Sequence, residues 1–378
     1  MKSPCETAVF PLFNFAESNN NADQFYLSRF LCSDPFGVLI APSGHTTVWV
    51  SDMELGRAEK EAKVDSILPF SMYRKNGISP TRAMARFLKD HGAGRTRVPP
   101  GFPLGLAREL EVEEICLEVD GADISSRRRA KTAGEIEAIE SVQRQAEKAM
   151  EYIRSTLAGC PVSRGILQHE GRDLTAERLR SLVDVYLLER GLESTSEIIA
   201  PGRGGADPHW GGSGPIHAGV PIVVDLFPRD SITRYHADMS RTFVVGRASN
   251  AVRRMHNAVK EAQDVALERL RPGVNLSEVH TAVCEVFKQR GFGIPEPGRP
   301  LPRRGFLHGT GHGLGLDVHE APSISSGPDR FSPGDVVTVE PGLYDRRVGG
   351  VRIEDVVALT PGGEVINLTR FDRELEIV

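Results

Sequence analysis

The 378-residue sequence predicts an α+β protein in which a smaller α/β segment, residues 1–127, precedes a larger unit, residues 128–378, built from two similar halves. Three observations carry this prediction. A helix–helix–hairpin order occurs twice in the last 250 or so residues. The stretch before it alternates short β-rich runs with helical periodicity. With 40% hydrophobic and 26% charged residues, the chain has the composition of a globular protein, and its length suits two domains with ordinary cores.

In the first segment, GVLIAP (37–42) and TTVWVSD (46–52) are β-rich runs parted by Ser43-Gly44, a hairpin-like pair. SPTRAMARFLKDHG (79–92) sets Met84, Phe87 and Leu88 at helical spacing, and EICLEVDG (114–121) reads as another strand. The basic run Arg127-Arg128-Arg129 is expected to be a solvated linker at the domain boundary.

Beyond the boundary, Thr132 and Glu135 form a capping box. They open a helix with an apolar face of Ile136, Ile139, Val142, Ala146, Met150, Ile153 and Leu157. A second helix, about 175–190, stops at Gly191. The strands PIVVDLF (221–227) and ADMSRTFVV (237–245) follow, joined by the turn-rich PRDSITRYH. The order then recurs. A helix over 250–270 carries Val252, Met255, Val259, Ala262, Ala266 and Leu270 and ends at Pro272-Gly273. Asn275 and Glu278 cap another helix, which ends at Gly291. DVVTVEPG (335–342) and GVRIEDVVAL (350–359) form the second strand pair, so two related halves are expected to face one another across a site.

The formal charge of −5 argues against a nucleic-acid or anionic-membrane surface. No stretch has the 18 or so apolar residues of a membrane helix. Pro4 and Glu6 interrupt what a signal peptide needs as a clean apolar core. Cys5, Cys32, Cys116, Cys160 and Cys284 are scattered, with no disulfide framework or C-x-x-C motif, so the expectation is a reduced, cytoplasmic protein.

Acidic residues inside apolar strands mark the chemistry. Alternation puts His236, Asp238, Ser240 and Thr242 on one strand face, and Asp225 interrupts an apolar run. A carboxylate there is costly to bury alone; it either pairs with an arginine such as Arg241 or meets a cation. The second hairpin repeats the pattern. Thr338 shares a face with Glu340, and Arg352 shares one with Glu354. Four acids in matching places of two halves would repel one another unless they surround divalent metal ions. HGTGHGLGLDVHE (308–320) adds His308, His312 and His319. Its glycines exclude a helical zinc motif, and no Gly-Lys-Ser/Thr follows to make a phosphate loop. His209 lies in the glycine-rich PGRGGADPHWGGSG (201–214).

Asp225, DMSRTF around Asp238, HGTGHGLGLDVHE, VEPGLY around Glu340 and GVRIED around Glu354 together resemble the pita-bread metallopeptidases, which include methionine aminopeptidase, aminopeptidase P and prolidase. The resemblance spans about 129–378. The preceding α/β segment resembles the creatinase-like N-terminal domain of the proline-specific branch, aminopeptidase P and prolidase, by size and position.

The resemblance implies two divalent metal ions, manganese above all, with cobalt or zinc as substitutes. It implies the ligands Asp225, Asp238, His312, Glu340 and Glu354, with Asp238 and Glu354 bridging. The activity it implies is hydrolysis of an Xaa–Pro bond at the N-terminus of a peptide or dipeptide, by a hydroxide bridging the metals. Glu340 moves the proton, and His319 or His209 stabilises the oxyanion. His308, His319, Tyr344 and Arg352 line the substrate site, with a plain ion pair as the alternative for Arg352. A homodimer is also implied. Two departures stand out. Phe227 takes the place of the glycine usual two residues after the first ligand Asp. Asp238 lies 13 positions after Asp225 instead of eleven, with His236 at the eleventh. The alternatives are a same-fold hydrolase or lyase of a small non-peptide metabolite, and a catalytically inactive binding protein.

Overall fold

The computed structural model describes residues 10–378 apart from 76, 121–122, 195–196, 297 and 301, so Cys5 and the N-terminal residues before Phe10 lie outside the described residues. The chain divides into two compact units, Met1–Arg128 and Arg129–Val378.

The first unit is a six-stranded mixed sheet. Its order is Ser66–Pro69, Thr46–Val50, Phe36–Ile40, Leu12–Ala16, Arg95–Val98 and Cys116–Val119. The hairpin expected across Ser43-Gly44 is present, with Phe36–Ile40 antiparallel to Thr46–Val50. Ser79 caps the helix Pro80–Asp90, which buries Met84, Phe87 and Leu88. The arginine run departs from the expected linker. It lies on a short helix, Asp123–Arg129. Arg128 pairs with Asp23 inside the first unit, and Arg129 pairs with Asp329 and Asp335 inside the second. Nearby carboxylates, not sequence composition, decide that outcome.

The second unit contains the two halves. The first has helices Ala133–Ala158 and Ala176–Leu188 and the strands Ile198–Pro201, Ile222–Leu226 and Met239–Val245. Both parts of the Thr132–Glu135 capping box are formed. The second half has helices Asn250–Arg269 and Leu276–Gln289 and the strands Gly311–Gly313, Val336–Val339 and Asp355–Leu359. Each half buries its helices against one face of its own sheet, in separate apolar cores. The strand Glu376–Ile377 returns to pair in parallel with Met239–Val245.

The second hairpin is longer and more bent than its sequence suggests. Val336–Val339 pairs with Asp355–Leu359 in one sheet, whereas Gly342–Asp345 pairs with Gly349–Arg352 in another. Both strands break between sheets, one at Glu340-Pro341 and the other at Ile353-Glu354. Proline offers no ladder N–H, so a break at Pro341 is expected.

Candidate metal centre

Strand alternation settles which side chains face away from the helices. Ile222, Val224 and Leu226 enter the helix-side core, which turns Val223 and Asp225 to the opposite face. There Asp225 stands opposite Ser240 and Ile198 in the ladders. Asp238 lies one residue ahead of Met239–Val245. Gln143, from the first helix of this half, clamps its backbone. Asp238 N–H donates to Gln143 Oε1 (3.1 Å), and Gln143 Nε2 donates to the Asp238 carbonyl (3.0 Å).

The second half repeats the arrangement. Val337 and Val339 enter the core, so Thr338 faces the site. The ladder register, carried on from Val339 and Asp355, sets Glu340 opposite Glu354. Glu354 precedes Asp355–Leu359 by one residue, as Asp238 precedes its strand. Its N–H donates to the Ser240 carbonyl (3.0 Å), and the Glu340 N–H donates to the Thr310 carbonyl (2.8 Å). Gly311 is required beside it, because a Cβ there would stand 1.9 Å from the Thr338 carbonyl oxygen.

His312 completes the cluster. Its N–H donates to Thr338 Oγ1 (3.1 Å), and its Nδ1 lies 3.1 Å from the Gly313 carbonyl. A carbonyl only accepts, so Nδ1 carries the proton and the Nε2 lone pair is left for the site. Nε2 lies 3.5 Å from Glu340 Oε1 and 3.7 Å from Asp238 Oδ2. Asp238, His312 and Glu354 each offer a ligand atom, all within 4.8 Å of one another.

A buried hydrogen-bond chain frames these groups. Arg352 Nη2 meets Asp225 Oδ2 at 2.6 Å, and its Nε donates to Ser240 Oγ (2.8 Å). Ser240 Oγ in turn donates to Glu354 Oε2 (2.8 Å). Arg352 Nη1 donates to the Tyr344 hydroxyl (3.0 Å) and to the Pro208 carbonyl (3.3 Å). The Tyr344 hydroxyl lies 2.8 Å from His308 Nε2, and His308 Nδ1 lies 3.9 Å from Glu340 Oε2. His319 packs edge-on to His312, with ring centroids 4.3 Å apart. His319 and His209 are both exposed.

The two residues marked as ambiguous by sequence resolve differently. Arg241 pairs with Asp355, not with Asp225 or Asp238, and donates to the Glu354 carbonyl. His236 is buried, its Nδ1 3.1 Å from the Phe227 carbonyl. The longer turn forms a small ladder of its own, Arg229–Asp230 against Leu192–Glu193, with Arg234 in the left-handed region (φ 64°). Ser240 is visible in the sequence pattern. Gln143 is not singled out, although a glutamine between Val142 and Ala146 on an apolar stripe is a readable anomaly.

The electrostatics match the donor set. Burial, and then the charges of Glu354, Asp225 and Glu340, push Asp238 well above the usual carboxylate range. Burial, then Glu340 and Asp225, does the same to Glu354, and burial raises Glu340. Burial opposes charge on Arg352, yet Tyr344 and the surrounding carboxylates outweigh it and hold its pKa high. Burial lowers His308 and His312, favouring their neutral, ligating or hydrogen-bonding forms, and partial desolvation, then the neighbouring His312, lowers the more open His319. Asp225 Oδ1 is buried without a hydrogen-bond partner. Clustered acids opposed by one arginine, an orphaned carboxylate oxygen and a free imidazole lone pair suit divalent cations.

The chain belongs to metallopeptidase family M24, whose model matches residues 137–361. It is 31% identical over 342 residues to the Xaa-Pro dipeptidase of Pyrococcus furiosus, covering 90% of this chain and 88% of that protein. Among solved structures, the prolidase from Pyrococcus horikoshii OT3 superposes with a TM-score of 0.79 at 25% identity, covering 97% of this chain and 95% of the other. The X-Pro aminopeptidase from Thermotoga maritima MSB8 gives 0.79 at 24% identity, over 97% of each chain, and speaks for the fold. The protein is thus a hydrolase of the metallopeptidase class, with a pita-bread domain after its N-terminal domain. Among the described residues, no helix is long and apolar enough to cross a membrane.

Proposed function

We propose that the protein hydrolyses the Xaa–Pro bond at the free N-terminus of peptides or dipeptides, using two divalent ions. The observation that carries this reading is the convergence of Asp225 and Asp238 from one half with His312, Glu340 and Glu354 from the other. Relatives named Xaa-Pro dipeptidase support the substrate class.

Those five residues would hold the ions, and a mainly carboxylate set with one imidazole suits Mn²⁺. When bound, such ions acidify water and polarise a carbonyl. The protein does the rest. Glu340 takes a proton from the attacking water and returns it to the departing proline nitrogen. Burial raises its pKa, the direction that favours taking up the proton. His319 and His209, exposed at the rim, donate to the oxygen that becomes negative. His308, oriented by the Tyr344 hydroxyl, borders the proline ring. Arg352 holds Asp225 and, through Ser240, Glu354, so it acts as a positioning residue.

The test is a panel of Xaa-Pro dipeptides, longer Xaa-Pro peptides and cyclic amides, assayed on chelated and Mn²⁺-reloaded protein. Metal-dependent release of the N-terminal residue from Xaa-Pro substrates is expected. Turnover of cyclic amides alone would replace the peptide by a small metabolite.

A further inference from the structure

The C-terminal segment runs from one half to the other. Val365–Asn367 is antiparallel to Asp355–Leu359 in the sheet of the second half, and Glu376–Ile377 is parallel to Met239–Val245 in the sheet of the first. Residues 368–375 therefore cross between the two sheets, outside the repeated helix–helix–hairpin order. Arg241 fastens the crossing. Its Nε and Nη2 donate to the Asp372 and Phe371 carbonyls (both 2.7 Å), while its Nη1 donates to the Glu354 carbonyl (2.7 Å).

Thr369 is where this segment meets both halves. The Val356 N–H, two residues after Glu354, donates to Thr369 Oγ1 (2.9 Å), and the neighbouring Leu368 N–H donates to the Val356 carbonyl (2.7 Å). From the first half, Gln143 Nε2 donates to the same Oγ1 (3.0 Å). This is the amide that clamps the Asp238 backbone. The Asp238 N–H can only donate, so Gln143 Oε1 must face it, and the two Nε2 hydrogens go to the Asp238 carbonyl and to Thr369. Both acceptor positions of the threonine hydroxyl are thereby used. Gln143, Thr369 and Val356 are all buried.

We infer that Thr369 is a positioning residue whose hydroxyl sets the separation of Asp238 and Glu354, and with it the affinity for divalent ions. The inference rests on the reading above that these acids hold the ions. Each acid stands one residue ahead of its strand, so the sheet ladder does not fix its backbone. Like charges drive the two carboxylates apart, and the tie through Gln143, Thr369 and Val356 opposes that separation at the backbone. Removing one hydroxyl strands two buried N–H donors, one on each side of the tie, and both must shift to find partners.

The test is Co²⁺ titration of the chelated full chain, followed by visible absorption. Thr369→Val removes the hydroxyl and keeps the branched shape, whereas Thr369→Ser keeps the hydroxyl. Thr369→Val is expected to weaken Co²⁺ binding about ten- to a hundredfold, the scale of losing a group that orients a metal ligand, and to alter the Co²⁺ spectrum. Thr369→Ser is expected to restore both. Thermal melting in chelator shows which variants are folded; a folded Thr369→Val with wild-type affinity and spectrum overturns the inference. If Thr369→Val does not fold, amide hydrogen exchange of wild type decides, because coupling between two sites is reciprocal. Co²⁺ is then expected to slow exchange across residues 365–372 as well as around Asp238 and Glu354. Protection of the two acids' strands with 365–372 unchanged overturns it equally. Wild type that takes up no Co²⁺ ends the metal reading and this inference together. Wild type that binds Co²⁺ but cleaves no Xaa-Pro dipeptide ends the peptide reading alone, and the titration still decides Thr369.

Discussion

Arg352 and Asp225 form a buried ion pair, Nη2 to Oδ2 2.6 Å, between the strand Gly349–Arg352 and a strand of the opposite half. The guanidinium is the cation that faces the clustered acids directly, so it carries much of their compensation before any metal arrives. Replacing it with methionine leaves Asp225 buried and unopposed, a loss on the order of 3 kcal/mol in chelated protein. Urea unfolding with chelator and with Mn²⁺ checks this. The deficit is expected to shrink when ions supply the missing charge; an equal deficit in both conditions would assign Arg352 to packing alone.

The aspartate left ambiguous by the long turn has a definite expectation. Asp238→Ala is expected to lose divalent-ion binding and activity. His236→Ala is expected to keep the wild-type metal content, because its Nδ1 is spent on the Phe227 carbonyl. Metal analysis of both variants decides, and the reverse pattern would move the ligand two residues earlier.

Chelated protein is expected to be inactive and to bind close to two Mn²⁺ or Co²⁺ per chain on titration. A well-folded chain that takes up no divalent ion would remove the hydrolytic mechanism.

Three variants divide the proposed labour. Glu340→Gln keeps a carbonyl ligand but no base, so substrate binding is expected to persist while kcat collapses. His319→Ala is expected to lower kcat by ~10²–10³ with metals retained, as when an oxyanion donor is lost. His308→Ala is expected chiefly to raise KM. Full activity of metal-loaded Glu340→Gln would exclude it as the proton carrier.

A histidine away from the site sets an acid limit. Burial, then nearby Lys260, lowers the pKa of His256 to about 4 from its ordinary 6.5. The fold holds it neutral, so between these pH values the unfolded chain binds the extra proton. Stability is therefore complete above about pH 6.5 and falls as pH drops toward 4. His256→Gln is expected to remove one proton from that slope, about 1.4 kcal/mol per pH unit. Denaturant unfolding from pH 4.5 to 7 measures it.

Local periodicity made much of the second unit legible. Thr132 and Glu135, the stripe from Ile136 to Leu157 and the parity of Asp225 and Glu340 each follow from short-range rules, and each is present in the fold. Long-range partners were not legible. Which arginine meets Asp225 depends on bringing Arg352 across from the other half, and residue spacing offered Arg241 just as readily. The break of the second hairpin into two sheets likewise depends on what each half packs against. Arg128 and Arg129 read as solvated until Asp23, Asp329 and Asp335 are placed beside them.

The matched posts of Asp238 and Glu354, each one residue ahead of its strand, bear on inheritance. A gene cut near Gly246 would yield one fragment with two acids and another with His312 and the remaining two. Neither product would own a complete set of donors. Whatever the origin of the repeat, its copies cannot drift apart freely, since a shift in one strand start is felt by a residue encoded more than a hundred codons away. Co-expressed fragments that regain activity only together would display that dependence.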